Sequence, residues 1–351
     1  MAPVIQELKR HTDKVESVVC VTAQHREMLD SVLDTFRIRP EYDMDLMYPG
    51  QTLDTITANI LKNLDKILKK EHPDFILVHG DTTTTFAAAL SAFYHKIPFG
   101  HVEAGLRTYN LASPYPEEAN RQMVSNLAQL HFTPTMTTLK NLLREGKPAD
   151  KIFVTGNTVI DALKTTVKEE FSHPALDWAG ERRILLLTAH RRENWGAPLC
   201  RIFEAVGELT RRYEDICVIC PCHPNPVVES MARKIFDHNK SVRLTEPLEV
   251  TEFHNIIKRS YLVMTDSGGI QEEAPSLDKP VLVVRDTTER PEGIKAGTLK
   301  LVGTAKENII KETSRLLDSK EAYEEMSRAE NPYGDGNASK RITEAIIKYY
   351  K

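Results

Sequence analysis

Several short apolar runs end in residues able to do chemistry. The first is Thr265-Asp266-Ser267-Gly268-Gly269-Ile270-Gln271-Glu272-Glu273. Two glycines make a tight turn and a helical pattern begins. Backbone N–H groups bared at Ser267, Gly268 and Gly269 suit a pyrophosphate, and glycine admits close approach. Glu273, one turn on, is placed to accept ribose hydroxyls. A plain glycine-rich turn is the competing reading, and no GxGxxG supports a dinucleotide. The second is His79-Gly80-Asp81-Thr82-Thr83-Thr84-Thr85. Asp81 is placed for chemistry or serves only as a helix N-cap; the threonines suit a helix start.

The third is His101-Val102-Glu103-Ala104-Gly105-Leu106-Arg107, followed by Pro116-Glu117-Glu118-Ala119-Asn120-Arg121. Glu103 closes a buried run, where a carboxylate is costly unless paired or used. Arg107 and Arg121 are possible partners. Glu117 opens a helix behind proline, so it reads equally as a catalytic acid or as a charge favoured by the dipole. The fourth is Pro221-Cys222-His223-Pro224, a histidine held stiffly between turn residues. As a cation it suits a departing phosphate; otherwise it is a loop histidine. The fifth, Arg285-Asp286-Thr287-Thr288-Glu289-Arg290, offers Arg290 as an anion clamp, with a solvated loop as the alternative. His190-Arg191-Arg192-Glu193-Asn194 is a similar basic turn. Cys217, Cys220, Cys222 and His223 spell C-x-x-C-x-C-H. One strand sends neighbours to opposite faces and no second pair is evident, so no metal site is expected.

Of these candidates, the carboxylates Asp81, Glu103 and Glu117 lie in the first half and the basic groups mostly in the second. That division points to an anionic group held by one half and acid/base chemistry done by the other.

The elements that must position these residues alternate throughout. Strands are expected at 17–22, 75–79, 99–102, 152–154, 184–188, 216–220, 261–265 and 280–284. Amphipathic stretches such as 51–70 and 199–213 lie between them. This is the pattern of parallel sheets wrapped by helices, with ligands beyond the strands' carboxyl ends. A chain of 351 residues predicts two domains. The polar stretch 173–183 suggests their boundary, giving two Rossmann-like halves facing a cleft. The chain opens on a helical pattern at 3–10, so an N-terminal strand and loop are expected to be missing.

Charge arithmetic of 46 basic against 50 acidic residues leaves −4, with no basic stripe for nucleic acid and no polybasic membrane anchor. No apolar run approaches a membrane span or a signal peptide. Five cysteines are sparse, so a reduced cytoplasmic compartment is expected.

Taken together, HGDTTTT, HVEAGLRT, YPEEANR, VTGNTVIDAL, TAHRREN, TDSGGIQEEAPS, RDTTERPE and NPYGDG resemble the bacterial non-hydrolysing UDP-N-acetylglucosamine 2-epimerases over essentially the whole chain. The resemblance implies an α/β, GT-B-like fold with two Rossmann-like domains. They would be 1–170, with helix 340–351 packed back on it, and 171–339. It implies C2 inversion between UDP-GlcNAc and UDP-ManNAc by anti elimination of UDP and re-addition, feeding cell-surface polysaccharide synthesis. No NAD or metal cofactor is implied, and a homodimer is. Asp81, Glu103 and Glu117 match the acid/base positions, with the C2 base unassigned. His223 matches the histidine facing the departing phosphate. Ser267, Gly268 and Gly269 would hold the diphosphate, Glu273 the ribose, Arg290 the diphosphate or sugar, and Phe253 the uracil pocket. Gln24, His25 and Arg191 match parts of an allosteric second UDP-GlcNAc site; Glu27 there is Gln in some relatives. Family members begin with a strand and a G-T-R-P-E loop that this sequence, starting Met1-Ala2-Pro3, does not show. The rival readings are a hydrolysing epimerase, a GT-B glycosyltransferase, and a regulator that binds a UDP-sugar without turning it over.

Overall fold

The computed structural model describes residues 1–23, 26–48 and 50–350, apart from the Glu27 side chain. The strands are β1 Cys20–Val21, β2 Tyr42–Asp43, β3 Ile76–His79, β4 Phe99–Val102, β5 Leu130–Thr133, β6 Ile152–Val154, β7 Arg183–Thr188, β8 Ile216–Pro221, β9 Val242–Thr245, β10 Leu262–Thr265, β11 Val281–Val283 and β12 Leu299–Leu301. Every ladder is parallel. β1 pairs with β2, four strands run β3-β4-β5-β6, and six run β12-β11-β10-β7-β8-β9. The sequence expectations omitted β2, β5, β9 and β12 and drew the first strand too long. β5 reads Leu-His-Phe-Thr and β12 Leu-Lys-Leu, so a polar residue interrupts each apolar run.

Two compact units divide the chain. The first comprises 1–162 with 333–351, the second 163–332. The division therefore falls inside helix Thr158–Thr166 rather than at 170/171, and before 339/340 on the return. The reason is packing. The polar stretch 173–183 contains helix Pro174–Ala179, whose Ala175 and Ala179 are buried in the second unit's core with Leu163.

In the second unit, helices cover both faces of the sheet, so alternate residues enter two cores. Leu185, Leu187, Val218 and Met264 face one; Ile184, Leu186, Ile219 and Val263 face the other. Such strands read as continuous apolar runs. β7 and β10 are adjacent although three strands apart in the chain, which makes the gap between their carboxyl ends the topological switch point.

In the first unit, helix Ala338–Tyr349 lies with helix Ala2–Leu8 on the sheet. Val4, Leu8, Ile342 and Ile346 cover Val102, Leu130 and Phe132. Asp161 fixes that last helix by accepting the N–H groups of Ala338 (3.1 Å) and Ser339 (2.8 Å). Among the described residues no helix is long and apolar enough to cross a membrane.

Candidate active site

The first unit gathers its carboxylates beyond β3 and β4. Gly80 turns the chain after β3 at φ +73°, and its N–H donates to Val102 O at 3.0 Å. Asp81 follows. It is not the cap of helix Thr83–Tyr94; Thr82 is, its hydroxyl accepting from Thr85 N–H at 3.3 Å. Asp81 is instead ion-paired. Arg121 Nε (2.9 Å) and Nη2 (2.7 Å) both donate to its Oδ2, and Asn120 Nδ2 donates to its carbonyl at 2.8 Å.

Glu117 and Glu118 open helix Glu117–Leu127, and they differ sharply. Glu117 is half-buried. Glu118 is fully buried and accepts from Thr108 N–H (3.0 Å), Tyr109 N–H (3.1 Å) and Gln122 Nε2 (2.9 Å), with Arg121 Nη1 at 3.3 Å. Burial alone would raise the Glu118 pKa. The hydrogen bonds from Gln122, Thr108, Tyr109 and Arg121 outweigh it and hold the group below its ordinary value. Arg107 pairs with Glu145 at 2.7 Å.

Glu103 stands one residue past β4 at φ +64°. That left-handed backbone costs a non-glycine residue about 1 kcal/mol or more, and such strain clusters at functional positions. Its Oε1 lies 3.3 Å from Asn157 Nδ2 and its Oε2 3.8 Å from His79 Nε2. A Cβ added to Gly80 would sit 3.4 Å from Oε2, so Glu103 leans over the turn that carries Asp81. Burial, with help from the amino terminus and His101, holds the His79 pKa well below 6.5. Its ring is therefore neutral at pH 7. His101 supports the same turn, its Nε2 bonding Gly80 O at 2.8 Å.

The second unit builds its site at the switch point. Asp266, fully buried at the end of β10, accepts from the backbone N–H groups of His190 and Arg191, each at 2.9 Å, and from Asn194 Nδ2 at 3.0 Å. The turn after β7 is thereby tied to the glycine turn. The helix expected after the glycines is one turn, Ile270–Glu273, so its dipole adds little and charge comes from side chains. A Cβ added to Gly268 would lie 2.8 Å from Glu289 Oε1, 3.7 Å from Arg290 Nη2 and 3.8 Å from Arg191 Nη2. Glycine keeps that space open between two guanidinium groups.

Arg290 is itself anchored by an ion pair from its Nε to the buried Glu272. Arg285 bonds Glu193 and Glu289, each at 2.9 Å. Burial would raise the Glu289 pKa, but Arg285, Arg290 and Arg191 bring it below the ordinary value.

His223 is exposed after β8, where its Nδ1 accepts from Asn225 N–H at 3.1 Å. Its ring stacks on His190, centroids 5.1 Å apart and planes at 21°. His190 Nδ1 stands 3.9 Å from Asp266 Oδ1, and burial holds the His190 pKa below its usual value despite that carboxylate. Phe253 is half-buried against the core on helix Val250–Arg259. Glu273 Oε2 lies 3.4 Å from His254 Nε2. Cys217 and Cys220 enter opposite cores. Among the described residues no three His, Cys, Asp or Glu side chains are grouped to hold a metal ion. Gln24 and His25 lie outside the described residues. Arg191, matched to the second site by resemblance, stands at the Gly268 turn.

Sequence reasoning missed several partners. His79 and Asp266 sat unremarked within quoted motifs, and Glu118 reads from sequence only as a second helix-start acid beside Glu117; each is identified by what it touches. Asn157 and His254 carry no local signal, because each meets its carboxylate from a distant segment.

The family profile described as UDP-N-acetylglucosamine 2-epimerase matches residues 6–347. The UDP-N-acetylglucosamine 2-epimerase of Bacillus subtilis is 57% identical, over 100% of this chain and 92% of its own. The crystal structure of the UDP-GlcNAc 2-epimerase of Neisseria meningitidis bound to UDP-GlcNAc is 50% identical with a TM-score of 0.91, covering 99% of this chain and 96% of its own. That of the Methanocaldococcus jannaschii enzyme in complex with UDP-GlcNAc and UDP is 33% identical with a TM-score of 0.80, covering 99% and 95%. The chain belongs to the UDP-N-acetylglucosamine 2-epimerase family.

Proposed function

We propose that this chain interconverts UDP-N-acetylglucosamine and UDP-N-acetylmannosamine by inverting C2, without release of free sugar. The second unit supplies the nucleotide groups. Ser267, Gly268, Gly269 and Arg290 receive the diphosphate, Glu273 the ribose, and Phe253 borders the uracil. His223 faces the departing phosphate. The first unit supplies Asp81, Glu103 and Glu117 as the acid/base set.

The C2 proton passes to a carboxylate while the C1–O bond breaks, giving a 2-acetamidoglucal and UDP. UDP then adds back at C1 as C2 takes a proton on its other face. The sequence is redox-neutral. The reading places the enzyme in the cytoplasm as a homodimer supplying cell-surface polysaccharide synthesis.

The observation that carries this reading is the gathering of Asp81 and Glu103 over one turn, beside the helix that Glu117 opens. Inversion needs proton-transfer groups for both faces of C2, and a single carboxylate would not supply them. Relatives whose structures are described with UDP-GlcNAc or UDP bound support the substrate class.

Proton NMR of UDP-GlcNAc with the protein in D₂O, with no NAD added, tests it. UDP-ManNAc deuterated at C2 is expected. Free ManNAc with UDP would place the chain among hydrolysing enzymes instead. Epimerised product that retains its C2 proton would overturn solvent-exchanging acid/base chemistry.

A further inference from the structure

His254 is 3% exposed, yet both of its ring nitrogens meet polar groups. Nδ1 is 2.7 Å from Thr166 Oγ1, and Nε2 is 3.4 Å from Glu273 Oε2. An ionised carboxylate only accepts, so the ring hydrogen belongs on Nε2 and Nδ1 takes the threonine hydroxyl. Thr166 is itself fixed. Asn255 Nδ2 donates to its carbonyl at 2.7 Å, and Asn255 Oδ1 accepts from Lys168 N–H at 2.9 Å. The chain neighbours of the relay belong to one apolar cluster: Leu163 and Val167 flank Thr166, Ile256 and Ile257 share the His254 helix, and Ile270 and Ala274 flank Glu273. A polar chain in such a place adds nothing to packing that an aliphatic residue would not.

Its effect is to orient Glu273. Oε2 is turned inward to His254. Oε1 lies 3.5 Å from where a Cβ on Gly269 would stand, so it faces the glycine turn. A carboxylate held by one oxygen presents the remaining lone pairs in a fixed direction, which is what recognition of a vicinal diol requires. Phe253 precedes His254 on the same helix, so consecutive residues would serve base and ribose.

We infer that Thr166 and His254 are positioning residues that lock Glu273 onto the 2′,3′-diol and make the site select ribonucleotides over 2′-deoxyribonucleotides. The inference rests on the proposed reading of the glycine turn as the UDP site. A diol lacking its 2′-hydroxyl leaves a preset acceptor without a partner, and a site built around a hydroxyl rejects the analogue that lacks it.

The test is calorimetric binding of UDP and 2′-deoxy-UDP to the intact protein and to His254→Ala, His254→Gln, Thr166→Val and Glu273→Gln. The wild-type protein is expected to prefer UDP by about tenfold or more. In His254→Ala, UDP binding weakens about tenfold while 2′-deoxy-UDP binding changes less than about twofold, so the preference collapses. Glu273→Gln collapses it too, and adding His254→Ala to it costs nothing further. His254→Gln, which keeps a donor, retains most of the preference. Thr166→Val, nearly isosteric, lowers it partway and carries the measurement if His254→Ala does not fold.

A preference unchanged in both His254→Ala and Thr166→Val, even with both ligands weakened equally, shows a packing role and overturns the inference. A wild-type protein that binds the two nucleotides equally also overturns it, while leaving the UDP site standing. Binding of neither nucleotide by the wild-type protein overturns the site reading, and this inference with it.

Discussion

The two units share a parallel-sheet plan but place their titratable groups differently. In the second, the central strands β7, β8 and β10 carry unbroken apolar runs, and the charged candidates stand in the loops beyond them. There they are arranged in fixed pairs such as Arg290–Glu272 and Arg285–Glu289. In the first, imidazoles lie inside the sheet. His101 on β4 and His131 on β5 are register partners, both buried, and His101 holds the turn that carries Asp81. The contrast teaches that binding an anion needs a rigid array of charges at a rim. Proton transfer, the role proposed for the first unit, needs groups whose neutral and charged forms both fit, and the turn that carries Asp81 is supported from the core by His101.

The sharpest way to break that comparison is to remove the carboxylates proposed for proton transfer. Glu103→Gln and Asp81→Asn are each expected to lower turnover about 10²–10⁴-fold while UDP affinity stays within about twofold, because the residues proposed to hold the nucleotide belong to the second unit. Steady-state rates and calorimetry on each variant check this. Undiminished turnover in both variants removes the acid/base assignment. A parallel loss of UDP affinity erases the division of labour.

Acid should separate the units next. In the unfolded chain a histidine takes its proton near pH 6.5; buried His101 takes it only near 4 and His131 near 3. Burial is the main cause in both. Between those values the unfolded state binds more protons, so stability falls as pH falls, from about 6.5 down to the folded values. A shift from 6.5 to about 4 in His101 is worth about 3 kcal/mol at about 1.4 kcal/mol per unit. Hydrogen exchange between pH 7 and 4 should show β4 and β5 losing protection before β8 and β10. His101→Gln should narrow the gap. Simultaneous loss in both sheets denies the contrast.

How legible this was in the sequence follows the same line. The second unit's central strands β7, β8 and β10 were plain because both faces are covered and no polar residue interrupts their apolar runs, whereas Arg243 in β9 and Lys300 in β12 broke up its edge strands. β5 was hidden because its histidine breaks the apolar run, although the fold buries that histidine completely. The carboxylates at strand ends were legible as candidates for chemistry. Their differences were not, since Asp81 is set apart by Arg121 and Glu103 by Asn157, each from another segment. The alternatives at Glu117 and Glu118 illustrate the limit. Adjacent identical residues at a helix start differ because only Glu118 meets the 108–109 backbone, Gln122 and Arg121. The domain division was misplaced because a polar stretch can still carry two alanines into a core.

Within the second unit, Arg290→Ala should weaken UDP binding about 10–100-fold, since it removes a guanidinium from the Gly268 turn and from buried Glu272 together. Arg290→Lys tests whether point charge suffices. The pair with Glu272 is made through the guanidinium Nε, which predicts that lysine recovers only part of the affinity. Calorimetry with UDP gives the answer, and a lysine variant equal to wild type would reduce Arg290 to a source of field.

The smallest expected effect is the most informative about Arg191. Resemblance assigns it to a second UDP-GlcNAc site, whereas its Nη2 stands beside Gly268, near Arg290. Its side chain is 40% exposed and 3.9 Å from Glu289, so solvent screens it. Arg191→Ala should therefore weaken UDP binding only about two- to fivefold. If Arg191 serves the diphosphate alone, that loss appears with UDP as the only ligand and the dependence of rate on UDP-GlcNAc keeps its shape. If it serves a second site alone, UDP affinity is unmoved and any sigmoidal dependence flattens. A residue at the turn can do both, and then the two changes appear together in one variant. That outcome would make the rigid binding rim, rather than the proton-transfer turn, the place where a second ligand is sensed.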